Sequence, residues 1–272
     1  MVLESKIGKL EYIPIKVEPQ RDKFDLVQKI IEAIEKNRES LLDNDIIVIA
    51  SKFVAMAEGR VVKLSSVHPS EKAKRLAKKL NISSRLAELI LKEADVVFGG
   101  VPGYVLTLKD GVLSPNAGID KSNIYKGYVI LHPSKPFEKA EELRKRIFEK
   151  TGKKIGVIIT DSRLFPTRIG TIGVAIGVAG FEPIRDLRGK KDLFGNVLKV
   201  TRQALADDIS SGAQLLMGEA DESIPIVIVR LKDLQQNPIT FTDRSINKKE
   251  IIINYKRCIY LRGLSVIGRK IR

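Results

Sequence analysis

Cysteine occurs once in the 272 residues, histidine twice and tryptophan not at all. The single Cys258 excludes an intramolecular disulfide and any cysteine-rich zinc site, and reads as a small semi-buried hydrophobe. His68 and His132 each stand directly before a proline, so a histidine-rich metal centre is unavailable. Any cation here is expected to be hard and oxygen-bound, like Mg²⁺ or Mn²⁺. No apolar run approaches the roughly 20 residues that span a bilayer, and the opening MVLESKIGKLEY lacks the apolar stretch of a secretory signal. A cytoplasmic protein with no membrane partner is expected. Phosphate-binding fingerprints are missing too. There is no GxxxxGK[ST] loop, and glycines 170, 173, 177 and 180 do not fit GxGxxG.

What is abundant is positive charge, with 48 Lys and Arg against 33 Asp and Glu and a net charge of +15. Such an excess raises the question of a polyanionic partner. Aromatic residues make up only 6% of the chain and do not alternate with the cations, so a nucleic-acid-binding protein is the lesser reading. Lys72, Lys74, Arg75, Lys78 and Lys79 read as a solvated helix face.

The stretch Lys154–Arg168, KIGVIITDSRLFPTR, organises the rest. Ile155–Ile159 is a short apolar run, as in a strand buried on both faces, and it is expected to stop on Thr160, Asp161 and Ser162 and turn at Pro166. Ligands of open α/β sheets gather beyond the carboxyl ends of such strands, so Asp161 followed by a hydroxyl is a candidate metal and phosphate site. Equally, either residue could cap the next turn.

Around it, Leu10–Val17 reads as a strand at an edge or facing a ligand, because it contains Pro14. Asp22–Leu42 has the apolar spacing of one helical face, and Ile46–Ala50 is a second buried strand running into Ser51–Arg60. Helices are expected near Ser70–Leu80 and Ser84–Ala94, then a hairpin turning at Lys109-Asp110-Gly111. Gly127–Leu131 reads as a strand, and Lys135–Lys150 as a charged helix closed by Gly152. Gly170–Phe181 is glycine-rich and apolar, which suits tight strand packing at least as well as phosphate cradling. Thr201–Met217 reads as a helix with Asp207 and Asp208 in its middle, Ile224–Val229 as a buried strand, and Ile251–Tyr255 as strand-like before a basic end at Arg269, Lys270 and Arg272. Without linker or repeat, residues 1–272 read as one α/β module, two-lobed in outline.

Three acidic loops stand next to buried strands: Asp120 in NAGID, Asp161 in ITDS, and Glu219 in MGEADESIP. The last could equally be a solvated turn. Arg185, Arg188, Lys190 and Lys191 gather in another loop, where cations suit phosphate or carboxylate recognition. Carboxylates for divalent ions beside a cationic loop compose a phosphoryl-transfer site without a P-loop.

These blocks carry a resemblance. AEGR (Ala57–Arg60), NAGIDKSN (Asn116–Asn123), TGKKIGVIITDS (Thr151–Ser162), GVAIGVAG (Gly173–Gly180), RGKKDLFGNVLKVT (Arg188–Thr201), ALADDI (Ala204–Ile209) and LLMGEADESIPIVIVR (Leu215–Arg230) follow one another as in the coenzyme F420-0:L-glutamate ligase family. The chain resembles that family most strongly over residues 10–230, leaving 231–272 as a basic extension.

The resemblance implies a family-specific α/β fold in an intertwined homodimer, and a GTP-dependent ligase that joins L-glutamate to F420-0 by a γ-linked amide through an acyl phosphate. It implies that Asp120 and Asp161 hold one divalent ion, and that Ser162, in place of the usual threonine, and Glu219 hold a second. Asp161 and Arg168 would serve catalysis. Ile13, Pro14, Ile15, Ser51 and Asn123 would contact the guanine nucleotide, with Arg188 and Lys190 as its phosphate clamp. Two departures stand out. Met56 replaces the family's lysine, with Lys52 four residues earlier as its substitute, and RLFPTR follows the TDS triplet, where only Arg168 matches. A paralogous ligase with another acceptor is the alternative reading.

Overall fold

Isoleucine and valine supply the central strands, and their alternation decides which face each side chain takes. The computed structural model describes residues 9–20, 22–232 and 238–267, so the basic residues Arg269, Lys270 and Arg272 lie outside it. In chain order the strands are β1 (Lys9–Ile15), β2 (Ile46–Ala50), β3 (Val61–Lys63), β4 (Val96–Val101), β5 (Tyr104–Lys109), β6 (Val112–Pro115), β7 (Tyr128–Ile130), β8 (Gly156–Leu164), β9 (Thr171–Ala179), β10 (Arg185–Asp186), β11 (Arg202–Gln203) and β12 (Ile226–Lys232). The helices are α1 (Leu26–Lys36), α2 (Ser51–Ala57), α3 (Glu71–Leu80), α4 (Ser84–Glu93), α5 (Pro136–Thr151), α6 (Leu205–Met217) and α7 (Ile259–Ile267).

The chain divides into two compact units, residues 1–66 with 119–246, and residues 67–118 with 247–272. The first is built on a five-stranded sheet of order β1-β12-β2-β8-β9. Only β2 and β8 run parallel; the other neighbours are antiparallel. This is a mixed α/β arrangement. Ile47, Ile49, Val157, Ile159, Ile226 and Ile228 form one buried face with apolar residues of α1 and α5. Alternation leaves Val48, Ile158 and Val227 for the opposite face, on the side of α6. β1 is an edge strand, which accounts for Pro14 within it.

Glycines let the helices approach the sheet. A Cβ on Gly173 would lie 2.4 Å from the Ser210 carbonyl oxygen of α6, and one on Gly177 would lie 2.3 Å from the Pro136 carbonyl oxygen of α5. The GVAIGVAG run therefore serves tight packing.

In the second unit, α3 and α4 pack through Ala73, Ala77 and Ala87. Ser70 caps α3, accepting a hydrogen bond from the Ala73 amide. β4, β5 and β6 make a three-stranded antiparallel sheet, with the expected hairpin between Lys109 and Val112.

Several boundaries differ from expectation. α1 begins at Leu26, not Asp22, because Asp25 is its cap and accepts from the Gln28 amide. β8 does not stop at Thr160; pairing with β9 continues to Leu164 opposite Thr171, so Asp161 and Ser162 are strand residues and cap no turn. α6 starts at Leu205, because Arg202 and Gln203 pair with Arg185 and Asp186. Asp207 and Asp208 thus occupy its first turn. Ile251–Tyr255 is no strand: Asn247 and Asn254 cap short 3-10 turns at Lys248–Glu250 and Tyr255–Arg257.

Candidate functional site

Where β2 and β8 end side by side, a cavity of 620 Å³ opens within the first unit. The carboxyl ends of a parallel pair leave backbone and side chains pointing into a crevice, the usual place for a ligand in such sheets. Ser51, Lys52, Asp120, Asn123, Asp161, Ser162 and Glu219 all line it, having come from four separate stretches of chain.

β8 delivers Asp161 and Ser162 on adjacent positions, hence toward opposite sides of the strand. Ser51, the first residue of α2, donates its hydroxyl to Asp161 Oδ1. Arg163 Nη1 lies 2.6 Å from Asp161 Oδ2, and this guanidinium is almost wholly buried. Among the described residues, its Nε and Nη2 have no hydrogen-bond partner.

Asp120 lines the same cavity. Lys52 Nζ is 2.7 Å from its Oδ2, and the Ser122 amide donates to Oδ1 over 2.7 Å. Burial pushes the Asp120 carboxyl up, but Lys52 and Ser122 outweigh it and hold the group below its ordinary value. The Asn123 backbone is left-handed (φ 52°), and its side-chain amide donates to the Ala220 carbonyl over 2.7 Å. That bond ties the Asp120 loop to the Glu219 loop.

Glu219 follows Gly218, which ends α6 with φ 68°. Its Oε1 accepts from Thr171 Oγ1 at 2.6 Å and from Gln214 Nε2 at 2.7 Å. Its Oε2 lies 3.3 Å from Ser162 Oγ, and Gln214 Nε2 is also 3.3 Å from that hydroxyl. Gln214 and Thr171 escape a reading of the sequence, since neither belongs to an acidic or basic cluster. Gln214 lies in the last turn of α6, five residues before Glu219, and the turn at Gly218 brings the two together.

The remaining expected residues lie outside the cavity lining. Ile15 is buried in the core, Pro14 is exposed, and Ile13 is half-buried on the edge strand. The chain reaches the cavity just after β1, through Val17 and Glu18. Arg168 is exposed in the turn after β8. Arg188 is committed to Asp186, with Nε 2.9 Å from Oδ1, and Lys190 is exposed nearby. Met56 lines the cavity at the position of the departure noted above.

The candidate donors are carboxylate and hydroxyl oxygens, the chemistry that suits hard divalent cations. Ser162 Oγ and Glu219 Oε2 are 3.3 Å apart, and Asp120 and Asp161 line the same cavity. Among the described residues no three Asp, Glu, His or Cys side chains converge to hold a metal ion by themselves. Such a set fits an ion that keeps waters and takes further oxygens from a bound phosphate.

The family model described as F420-0:Gamma-glutamyl ligase matches residues 14–231. The chain is 46% identical over 189 residues to the coenzyme F420:L-glutamate ligase of Methanocaldococcus jannaschii, covering 69% of this chain and 76% of that one. It is 41% identical over 225 residues to the enzyme of that name from Methanopyrus kandleri, covering 82% and 86%. With the Archaeoglobus fulgidus relative of that name it shares 38% over 222 residues, covering 82% and 88%.

Proposed function

The chain belongs to the F420-0:gamma-glutamyl ligase family, and we propose that it joins L-glutamate to coenzyme F420-0 through a γ-linked amide at the expense of GTP. The observation that carries this reading is the single cavity lined by Asp120, Asp161, Ser162 and Glu219 together with Lys52 and Ser51. A carboxylate oxygen of the acceptor attacks the γ-phosphorus of GTP, and GDP leaves. The glutamate amine then attacks the acyl carbon, losing a proton as inorganic phosphate departs.

No residue of the chain becomes covalently attached in this scheme. Mg²⁺ or Mn²⁺, two ions in all, would supply Lewis acidity and charge neutralisation for the transferring phosphoryl group. Asp120 and Asp161 would hold one, Ser162 and Glu219 the other. Ser51 and Arg163 fix the orientation of the Asp161 carboxylate. Gln214 and Thr171 fix that of Glu219. Lys52 is the cation nearest the cavity carboxylates on α2 and takes the part of the lysine replaced by Met56. Asn123, Ser51 and the segment following β1 contact the nucleotide.

The apolar side chains at the tip of the 185–203 segment support a homodimer. Leu193 is fully exposed and Phe194 91% exposed, and a second copy of the chain is the proposed cover. Met56 in the wall favours, as the second reading, a related ligase with another acceptor or nucleotide.

Nucleotide and acceptor dependence test the reading together. GDP release is expected to require acceptor and divalent ion, and to continue beyond a first turnover only when L-glutamate is also present, with ATP a poorer donor than GTP. GDP release indifferent to the acceptor contradicts it.

A further inference from the structure

β9 carries one residue more than β8 in the middle of their pairing. Ile159 stands opposite Gly177, yet Thr160 stands opposite Ala175, so Ile176 is the extra residue of a bulge. Beyond the bulge, Asp161 faces Val174, Ser162 faces Gly173 and Leu164 faces Thr171. Bulges bend and twist a strand and re-aim its side chains, and they persist only where something holds them.

What holds this one comes from α6. The Ala175 amide donates to Asp207 Oδ1 over 2.9 Å. Four residues along the helix, Ser211 Oγ donates to the Gly173 carbonyl over 2.9 Å. Between these two bonds, Gly173 lies against the Ser210 backbone so closely that no side chain fits. The far half of β9 is thus fastened to one helix face, and the same helix presents Gln214, one turn further on, to Ser162 and Glu219.

We propose that Asp207 is a positioning residue that pins the bulge and so holds Thr171 in the register from which it meets Glu219, beside Ser162. Loss of the bulge moves Thr171 by one residue, about 3.3 Å along the strand, and out of reach of the Glu219 carboxylate it now meets at 2.6 Å. Asp207 touches no reacting group; it acts through β9. Burial raises its carboxyl above the ordinary value, the Ala175 amide opposes that rise, and neighbouring Asp208 adds to it. Among the described residues this carboxylate has no ion-pair partner, and its bond to the Ala175 amide is what its burial secures.

The inference rests on Ser162 and Glu219 being ion ligands, and the test separates the two. Mn²⁺ titration of the full chain followed by electron paramagnetic resonance, with hydrogen exchange of the segment containing Ala175, is carried out on the wild type, Asp207→Ala and Asp207→Asn. Asp207→Ala is expected to weaken Mn²⁺ binding about tenfold, as loss of a supporting hydrogen bond behind a metal ligand does, and to speed exchange at Ala175. Asp207→Asn, which keeps an acceptor oxygen, is expected to restore both. Unchanged affinity and exchange in Asp207→Ala overturn the proposal, as does an Asn variant no better than the Ala one. If the wild type binds no Mn²⁺, the ion-ligand reading fails on its own, and the exchange data still decide whether Asp207 pins the bulge.

Discussion

Lys52 Nζ lies 2.7 Å from Asp120 Oδ2 inside the cavity, so a cation from the first turn of α2 neutralises the carboxylate of a loop that follows it by 68 residues. Burial alone would raise Asp120; the lysine and Ser122 bring it below the ordinary carboxylate value. A depressed folded-state value means that the pair's contribution to stability is present above the unfolded-state value and lost as pH falls through the folded one. Lys52→Met is expected to raise the Asp120 value and move the acid limb of Mn²⁺ binding to higher pH. Titration of Mn²⁺ affinity against pH in the two proteins checks this; coincident acid limbs would sink it.

Asp161→Asn removes a charge that faces the buried Arg163. Leaving that guanidinium unpaired costs about 3–5 kcal/mol, so the variant is expected to fold with a clearly lower melting temperature. On the proposed assignment of Asp161 as an ion ligand in phosphoryl transfer, turnover should fall below about one per cent of wild type. Calorimetry and product formation read the two effects separately.

The sequence makes part of this site readable and hides the rest, for a definable reason. Asp120, Asp161 and Glu219 stand out because each is an acid at the border of an apolar strand, and such borders gather at one end of a sheet. The strand cores Ile46–Ala50 and Ile155–Ile159 are equally plain, as runs of buried isoleucine and valine. The run of β8 through Asp161 to Leu164 is hidden, because only pairing with β9 sustains it. Thr171 beside Glu219 and Gln214 beside Ser162 are hidden likewise: these contacts depend on a bulge register and on where α6 lies against the sheet, neither of which a local pattern encodes. The cations Arg188 and Lys190 are conspicuous in sequence, yet the structure sets them on an exposed segment with Arg188 paired to Asp186.

Away from the cavity, Arg230 grips the buried Asp45 with two bonds, Nε to Oδ1 at 2.9 Å and Nη2 to Oδ2 at 2.8 Å. Asp45→Ala removes the doubly bonded partner of this guanidinium and, among the described residues, leaves it only the Glu39 carboxylate, 3.9 Å away, as an ion-pair partner. A loss of about 3–5 kcal/mol is expected, measured by denaturant unfolding, with Mn²⁺ affinity unchanged in the folded protein.

Gly173→Ala drives a methyl group into the Ser210 carbonyl oxygen. Neither backbone yields cheaply, and a destabilisation of about 1–3 kcal/mol is expected, accompanied by weaker Mn²⁺ binding because β9 and α6 are forced apart beside Glu219. A variant as stable as wild type would contradict the close packing of helix on strand.

Exposed Leu193 and Phe194 bear on assembly. Light scattering of Leu193→Asp with Phe194→Asp is expected to show a monomer where the wild type shows a dimer. A dimer unaffected by both changes places the interface elsewhere.

The most direct test is mass spectrometry of the products after incubation of the purified protein with F420-0, L-glutamate, GTP and Mn²⁺. The account predicts an acceptor heavier by one or more glutamyl units, formed only with metal and lost in Asp161→Asn. An acceptor of unchanged mass, from a protein that still binds GTP in the presence of Mn²⁺, would contradict it.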